Sequence, residues 1–286
     1  MTPTLVPHHP RPSSAPPAAD GRRRVRDWAE IQERMLVPLY EAVYEHLEVG
    51  PGARVLGLGC GTGLALLMAA GRGAGVTGVD TDRARTALAR ERLACGREHS
   101  GSGASPGARV VEGGPAEAVD PRSPRFNMIT AFQPIGCTAG DSDGLVPALE
   151  AAVPLAERGS PVVLAGWGPP ERCATAAVLR VASRLTERLR SDGGWRPTLR
   201  DDLEEVASRA GIRPDGSGRV SCPFGYADPD SAVRGLLSTG LFDAAVRATD
   251  PAQVEKEVRE ALHPHVRADG TVWMPNVFRY LIARTP

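Results

Sequence analysis

From Trp28 to Leu47 apolar side chains return every three or four positions, at Ile31, Met35, Leu36, Leu39, Tyr40, Val43 and Leu47. That period predicts an amphipathic helix, bent at Pro38 because proline lacks the amide for the preceding turn. Gly50-Pro51-Gly52 ends it, and an apolar run, Val55-Leu56, then leads into closely spaced glycines. Residues 64–70 predict a helix, 75–79 a strand ending at Asp80, and 82–93 another helix. Residues 108–112, 126–132 and 161–165 read as three more strands, with a helix at 145–155 between the last two. Short apolar strands alternating with helices predict an α/β fold built on a parallel sheet.

Beyond the fifth strand the pattern predicts helices at 175–189 and 199–210. The second of these takes Thr198 as its cap, with Asp201 and Asp202 in its first turn. A sixth strand is expected at 218–224. Asp228 and Pro229 then mark a helix start at 229–237. A charged amphipathic helix at 253–262 precedes a final strand at 271–284. Residues 96–107 are Gly/Ser-rich and read as a surface loop. There is no internal repeat.

Composition narrows the function. A chain of 286 residues, 42% apolar and 24% charged, is long enough for one large core. Lys plus Arg equals Asp plus Glu at 34 each, which leaves no overall basic footprint for nucleic acid. Five dispersed cysteines lack any metal-ligand spacing and read as free thiols, so no metal is expected. Residues 1–24 are rich in Pro, Ser, Ala and Arg and are expected to be a disordered tail, where His8-His9 would make a poor metal site. Order is expected to begin near Asp27, in a single domain at 25–286. No secretory signal and no bilayer-spanning run is visible, and the expected location is cytoplasmic.

The chemistry is concentrated in residues 53–63, Ala-Arg-Val-Leu-Gly-Leu-Gly-Cys-Gly-Thr-Gly, and in Val76-Thr77-Gly78-Val79-Asp80. Gly59, Gly61 and Gly63 let backbone come close to a ligand, and the following helix turns its first amides towards it. A carboxylate at the end of the next strand, Asp80, suits ribose hydroxyls. Cys60 is small enough for the turn, and Thr81 follows the acid.

This strand, G-x-G-x-G turn, helix, strand and terminal acid resembles the S-adenosylmethionine site of Rossmann-like (class I) methyltransferases. The resemblance covers residues 28–286. Residues 221–226 and 276–281 are similar, less specifically, to small-molecule enzymes of actinobacterial type. It implies a mostly parallel seven-stranded sheet with an antiparallel C-terminal strand. It also implies a helical substrate cap, about residues 27–48, 167–195 and 226–265. S-adenosylmethionine would be held by Gly59, Cys60, Gly61, Gly63, Asp80, Thr81, Glu117 and Phe132, with Glu117 standing in at the adenine amine and Phe132 in the segment near the sulfonium. Trp28, Tyr40, Trp167 and Asn276 would line the substrate pocket, with Glu33 nearby. Gln133, after the fourth strand, would face the reacting group. His263 and His265 are the acid–base candidates.

Three departures from the resemblance stand out. Gly57 replaces an acid on the first strand. Glu112-Gly113-Gly114-Pro115-Ala116-Glu117 lacks the acid expected at the adenine amine. Asn127 replaces an acid on the fourth strand. The reading is therefore a methyltransferase for a small metabolite at an O, N or C nucleophile. The alternatives are a repurposed scaffold for cyclisation or elimination, or a non-catalytic ligand-binding protein. Expected partners are a small molecule, with no nucleic acid and no membrane, in a monomer or homodimer.

Overall fold

The computed structural model describes residues 18–99, 107–120, 122–186 and 197–286. Residues 1–17 of the tail expected at 1–24, and parts of the loop at 96–107 and of the cap at 167–195, lie outside the described residues. Order starts earlier than the composition suggests. Helix α1 (Ala18–Asp27) runs ahead of Trp28, and Arg24 pairs with Asp243 at 2.8 Å while Val25 is buried. A segment of arginines looks like a tail until an acidic partner far along the chain is in place.

The helix expected at 28–47 is broken into pieces. A π turn (Trp28–Gln32) and a 3-10 turn (Glu33–Leu36) precede α2 (Val37–His46), where Pro38 sits in the first turn and needs no donor. The remaining early elements follow the expected alternation: β1 (Arg54–Leu58), α3 (Leu64–Gly71), β2 (Gly75–Asp80), α4 (Arg83–His99), β3 (Ala108–Glu112), β4 (Met128–Ile135), α5 (Leu145–Ala152) and β5 (Pro161–Trp167). Helix α4 carries through Gly96, beyond both the expected helix end and the start of the expected loop.

The second half comprises α6 (Thr175–Thr186), α7 (Asp202–Arg209), β6 (Arg213–Ser221), β7 (Phe224–Tyr226), α8 (Pro229–Ser238), α9 (Asp243–Ala248), α10 (Pro251–Leu262), β8 (Val272–Met274) and β9 (Val277–Arg284). Thr198 does not cap α7. Its hydroxyl donates to Gly136 O at 2.7 Å instead. Asp228 does cap α8, accepting from Ser231 N at 2.7 Å. The last predicted strand is split at Pro275-Asn276, so β8 leaves the main sheet to pair with β7. Asn276 holds the break. Its Oδ1 accepts from Thr175 N at 3.1 Å and its Nδ2 donates to Met274 O at 3.2 Å.

Seven strands form one sheet in the order β3-β2-β1-β4-β5-β9-β6, with β9 antiparallel to both its neighbours. One face is buried under α2, α3, α4 and α6, through Tyr44, Leu66, Leu93 and Val178. The other is buried under α5 and α7, through Leu149, Leu203 and Val206. Such strands are apolar on both faces, which is why they read as continuous runs and not as alternation. The carboxyl ends of β1, β2 and β4 meet below the segment 18–36 and the helices α8 and α9, and this is where an open α/β sheet places its ligand.

Candidate functional site

Two adjoining cavities open at those strand ends. The outer is a cleft of about 680 Å³, lined by Asp80, Thr81, Gly113, Gly114 and Pro115 among others. The inner is about 100 Å³, lined by Trp28, Tyr40, Phe132, Trp167, Phe224 and Phe278 together with a few polar groups. Leu58, Gly59, Arg85, Gln133 and Thr239 line both. Gln133 therefore stands at the junction, next to a glycine whose φ of +56° a side chain would strain.

Asp80 is buried, yet it lines the outer cleft. Gly61 N donates to its Oδ2 at 2.8 Å and Asp82 N to its Oδ1 at 2.9 Å. Each carboxylate oxygen can accept more than one hydrogen bond, so capacity remains for two vicinal hydroxyls. Thr81 follows it into the cleft wall. Glu117 does not reach this wall. It folds back so that Gly114 N donates to its Oε2 at 2.9 Å, and the cleft there is lined by Gly113, Gly114 and Pro115. The insertion of Pro115 makes the short turn Pro115–Ala118 and carries the carboxylate out.

The glycine turn is shaped from two sides. Gly63 (φ +83°) faces away from both cavities, and a Cβ there would sit 3.0 Å from the Ala89 Cβ. Its smallness serves the packing of α3 on α4. The absent acid at Gly57 has an equally local cause. Gly57 lies beside Gly78 across the β1–β2 pair, and Leu66 fills the notch they leave. A Cβ on Gly57 would meet Leu66 Cδ2 at 2.9 Å. Asn127 lies at the far end of the sheet, accepting from Arg54 N at 2.7 Å and donating to Gly52 O at 2.9 Å. This third departure is structural and does not touch the site.

Glu33 is the group the sequence undervalued. It is 3% exposed, and its carboxylate lies on the first turn of α3. Thr62 Oγ1 donates to Oε2 at 2.5 Å, Arg92 to the same oxygen at 2.7 Å, and Leu64 N to Oε1 at 3.3 Å. With Gly61 N on Asp80 and Leu64 N on Glu33, two amides that a phosphate would use already hold carboxylates. Those two amides are therefore already committed within the chain. Gln32 is likewise buried, accepting from the Tyr226 hydroxyl at 2.8 Å. Neither contact is visible in the sequence, because a π turn shifts which residues share a face.

The other candidates divide clearly. Tyr40, Phe132 and Trp167 line the inner cavity, with Phe132 packed against Tyr40 and Tyr44 at ring distances of 4.9 and 5.6 Å. Phe132 thus lines the inner cavity, beside Gln133. Burial, then the Glu33 charge, push the Tyr40 hydroxyl well above its ordinary pKa, which keeps it a donor. Cys60 lines the inner cavity, and burial pushes its thiol up to about 12, which removes it as a nucleophile. Asn276 is committed to the β8–β9 break and lines neither cavity. His263 is exposed and His265 half-buried, both in a 3-10 turn after α10, away from both cavities. Burial lowers the His265 pKa. They are surface groups, a position that residue type alone cannot reveal. Among the described residues no cluster of His, Cys, Asp and Glu could hold a metal, and no helix is long and apolar enough to cross a membrane.

No family model and no curated protein matches the chain. Solved structures do. Magnesium protoporphyrin IX methyltransferase from Synechocystis PCC 6803, with bound S-adenosylhomocysteine, superposes with a TM-score of 0.51 at 10% identity, covering 92% of this chain and 94% of that one. The E. coli protein YjhP gives 0.51 at 19% identity, covering 92% and 100%. The [4+2]-cyclase SpnF gives 0.50 at 18% identity, covering 87% and 80%. Sheet order, the single antiparallel strand and these likenesses agree: the chain has the Rossmann-like methyltransferase fold.

Proposed function

We propose that the protein is an S-adenosylmethionine-dependent methyltransferase acting on a small, largely apolar metabolite. The observation that carries this is the pair of cavities meeting at Gly59 and Gln133, one polar and acid-lined, the other aromatic. S-adenosylmethionine, when bound, supplies an already activated methyl group on a sulfonium. The chain's own work is then alignment and exclusion of water. Asp80 holds the ribose hydroxyls, and the backbone of residues 113–115 walls the base. Trp167, Phe224 and Phe278 form a dry wall in the inner cavity, packed at ring distances of 4.6 to 6.0 Å. Gln133 donates or accepts a hydrogen bond at the junction and so orients the acceptor without removing its proton. Among the described residues no histidine lines the inner cavity; its one carboxylate, Glu33, is paired with Arg92, and Tyr40 stays protonated. An acceptor that loses its proton late, or to water, suits such a site.

The missing base also favours a second reading, a cyclisation on the same scaffold. One protein of this fold is a [4+2]-cyclase. Calorimetry with S-adenosylhomocysteine, followed by turnover with methyl-labelled donor over a panel of apolar alcohols and amines, separates the two. The methyltransferase reading expects binding that weakens at least about tenfold in Asp80→Asn, since a charged hydrogen bond is lost, and label in product. Conversion of a panel compound without label transfer would move the assignment to the cyclase. Absence of binding by the wild-type protein would end the methyltransferase reading.

A further inference from the structure

The inner cavity contains an unsatisfied donor. Trp28 Nε1 is buried and, among the described residues, makes no hydrogen bond. It bounds the open side of Gly61, 3.6 Å from the point a Cβ would occupy, and Glu33 Oε1 bounds the same space at 3.7 Å. Among the described residues Oε1 accepts only the long bond from Leu64 N, whereas Arg92 and Thr62 both serve Oε2. The guanidinium of Arg85 lies over the Trp28 ring, 5.4 Å from its centroid, and lines both cavities. A donor without partner, a cation and a carboxylate oxygen with spare capacity thus converge on one face of the glycine turn. That set complements an α-amino acid: N–H and guanidinium for its carboxylate, carboxylate for its ammonium.

We infer that Trp28, Arg85 and Glu33 grip the amino-acid end of the S-adenosyl cofactor, with Glu33 taking the place of the acid that Gly57 lacks; this rests on the function proposed above. Leu66 has closed the strand position, so the negative charge arrives from the opposite wall, on the segment that covers the site.

The test compares S-adenosylhomocysteine with 5′-methylthioadenosine, which has the nucleoside and sulfur but no amino-acid end. Affinities are measured by calorimetry for wild type, Trp28→Phe and Glu33→Gln. Trp28→Phe keeps an aromatic face under Arg85 while removing the N–H together with the pyrrole part of the indole, so it remains a readable variant even if loss of the Arg92 pair unfolds Glu33→Gln. The expected result is about 3- to 10-fold weaker S-adenosylhomocysteine in Trp28→Phe and about 10- to 100-fold in Glu33→Gln, with methylthioadenosine changed by less than about twofold. Equal weakening of both nucleosides, or none for S-adenosylhomocysteine, overturns the inference and leaves the cofactor reading intact. Failure of both nucleosides to bind wild type removes the cofactor reading and the inference together.

Discussion

At the scale of single residues, the notch at Gly57 and Gly78 shows how a side chain can decide what its neighbours are allowed to be. Leu66 is 2% exposed and presses into both glycines. Truncating it, Leu66→Ala, leaves a void in the first turn of α3 and should cost about 2–5 kcal/mol in urea unfolding. Gly57→Asp, the substitution that would restore a strand acid, should also destabilise the protein, through the 2.9 Å approach to Leu66 Cδ2. Joined with Leu66→Ala it should be better tolerated than either change predicts by addition, because the two share one space. Strict additivity in the double variant would show that the notch is not the reason for glycine there. The glycines and Asp80 were legible from residue type and spacing. Leu66 was not, since nothing in a helical period says which apolar residue meets a gap in the sheet. Glu117, Asn276, His263 and His265 show the converse: the right functional groups, carried away from the site by a turn or by the far end of a helix.

At the scale of elements, the strands of the first half were readable because each is short, apolar and bracketed by breakers. What escaped were two interruptions. The π turn at Trp28–Gln32 keeps the helical period almost intact while rotating Gln32 and Glu33 inwards, and the break at Pro275-Asn276 needs Thr175 to show why it is stable. Both interruptions place polar side chains in buried positions with named partners, so both are open to test. Tyr226→Phe strands the Gln32 carbonyl in the interior and should cost about 1–3 kcal/mol, read by thermal melting. Asp228→Ala, which removes the cap of α8, should cost about 1 kcal/mol. A Tyr226→Phe variant as stable as wild type would mean that the segment 28–36 is not anchored through this bond.

For the whole molecule, burial of acidic hydroxyl and thiol groups gives a signature in alkali. Burial pushes the Cys60 and Cys222 thiols from 9.0 up to about 12, and it also raises the Tyr44 and Tyr226 hydroxyls. Below pH 9 both folded and unfolded states keep these protons, and their contribution to stability is complete. Above it the unfolded chain ionises first, so stability declines as pH climbs from about 9 towards 12. The melting temperature should therefore fall steadily over that window, and a Cys60→Ala/Cys222→Ala variant should show a shallower fall. A flat profile would contradict the burial of these groups. The sheet order and the placement of the site at the strand ends were foreseeable from the alternation of elements. The division into two cavities was not, because it depends on how residues from many elements across the chain close over one another.

The covering segment is attached differently from the core beneath it. Arg24 to Asp243 and Arg234 to Asp27 are partly exposed charge pairs, at 2.8 and 3.9 Å, whereas the sheet faces are held by dispersion and dry burial. Dissolved ions weaken the first kind of contact and leave the second almost untouched. The inner cavity, about 100 Å³ when covered, is well below the roughly 300–1,000 Å³ of ordinary small-molecule sites, so a substrate has to lift that cover to get in. Moderate salt should therefore weaken these two pairs and ease entry to the inner cavity, while the buried contacts of residues 25–36 and of the sheet keep their strength.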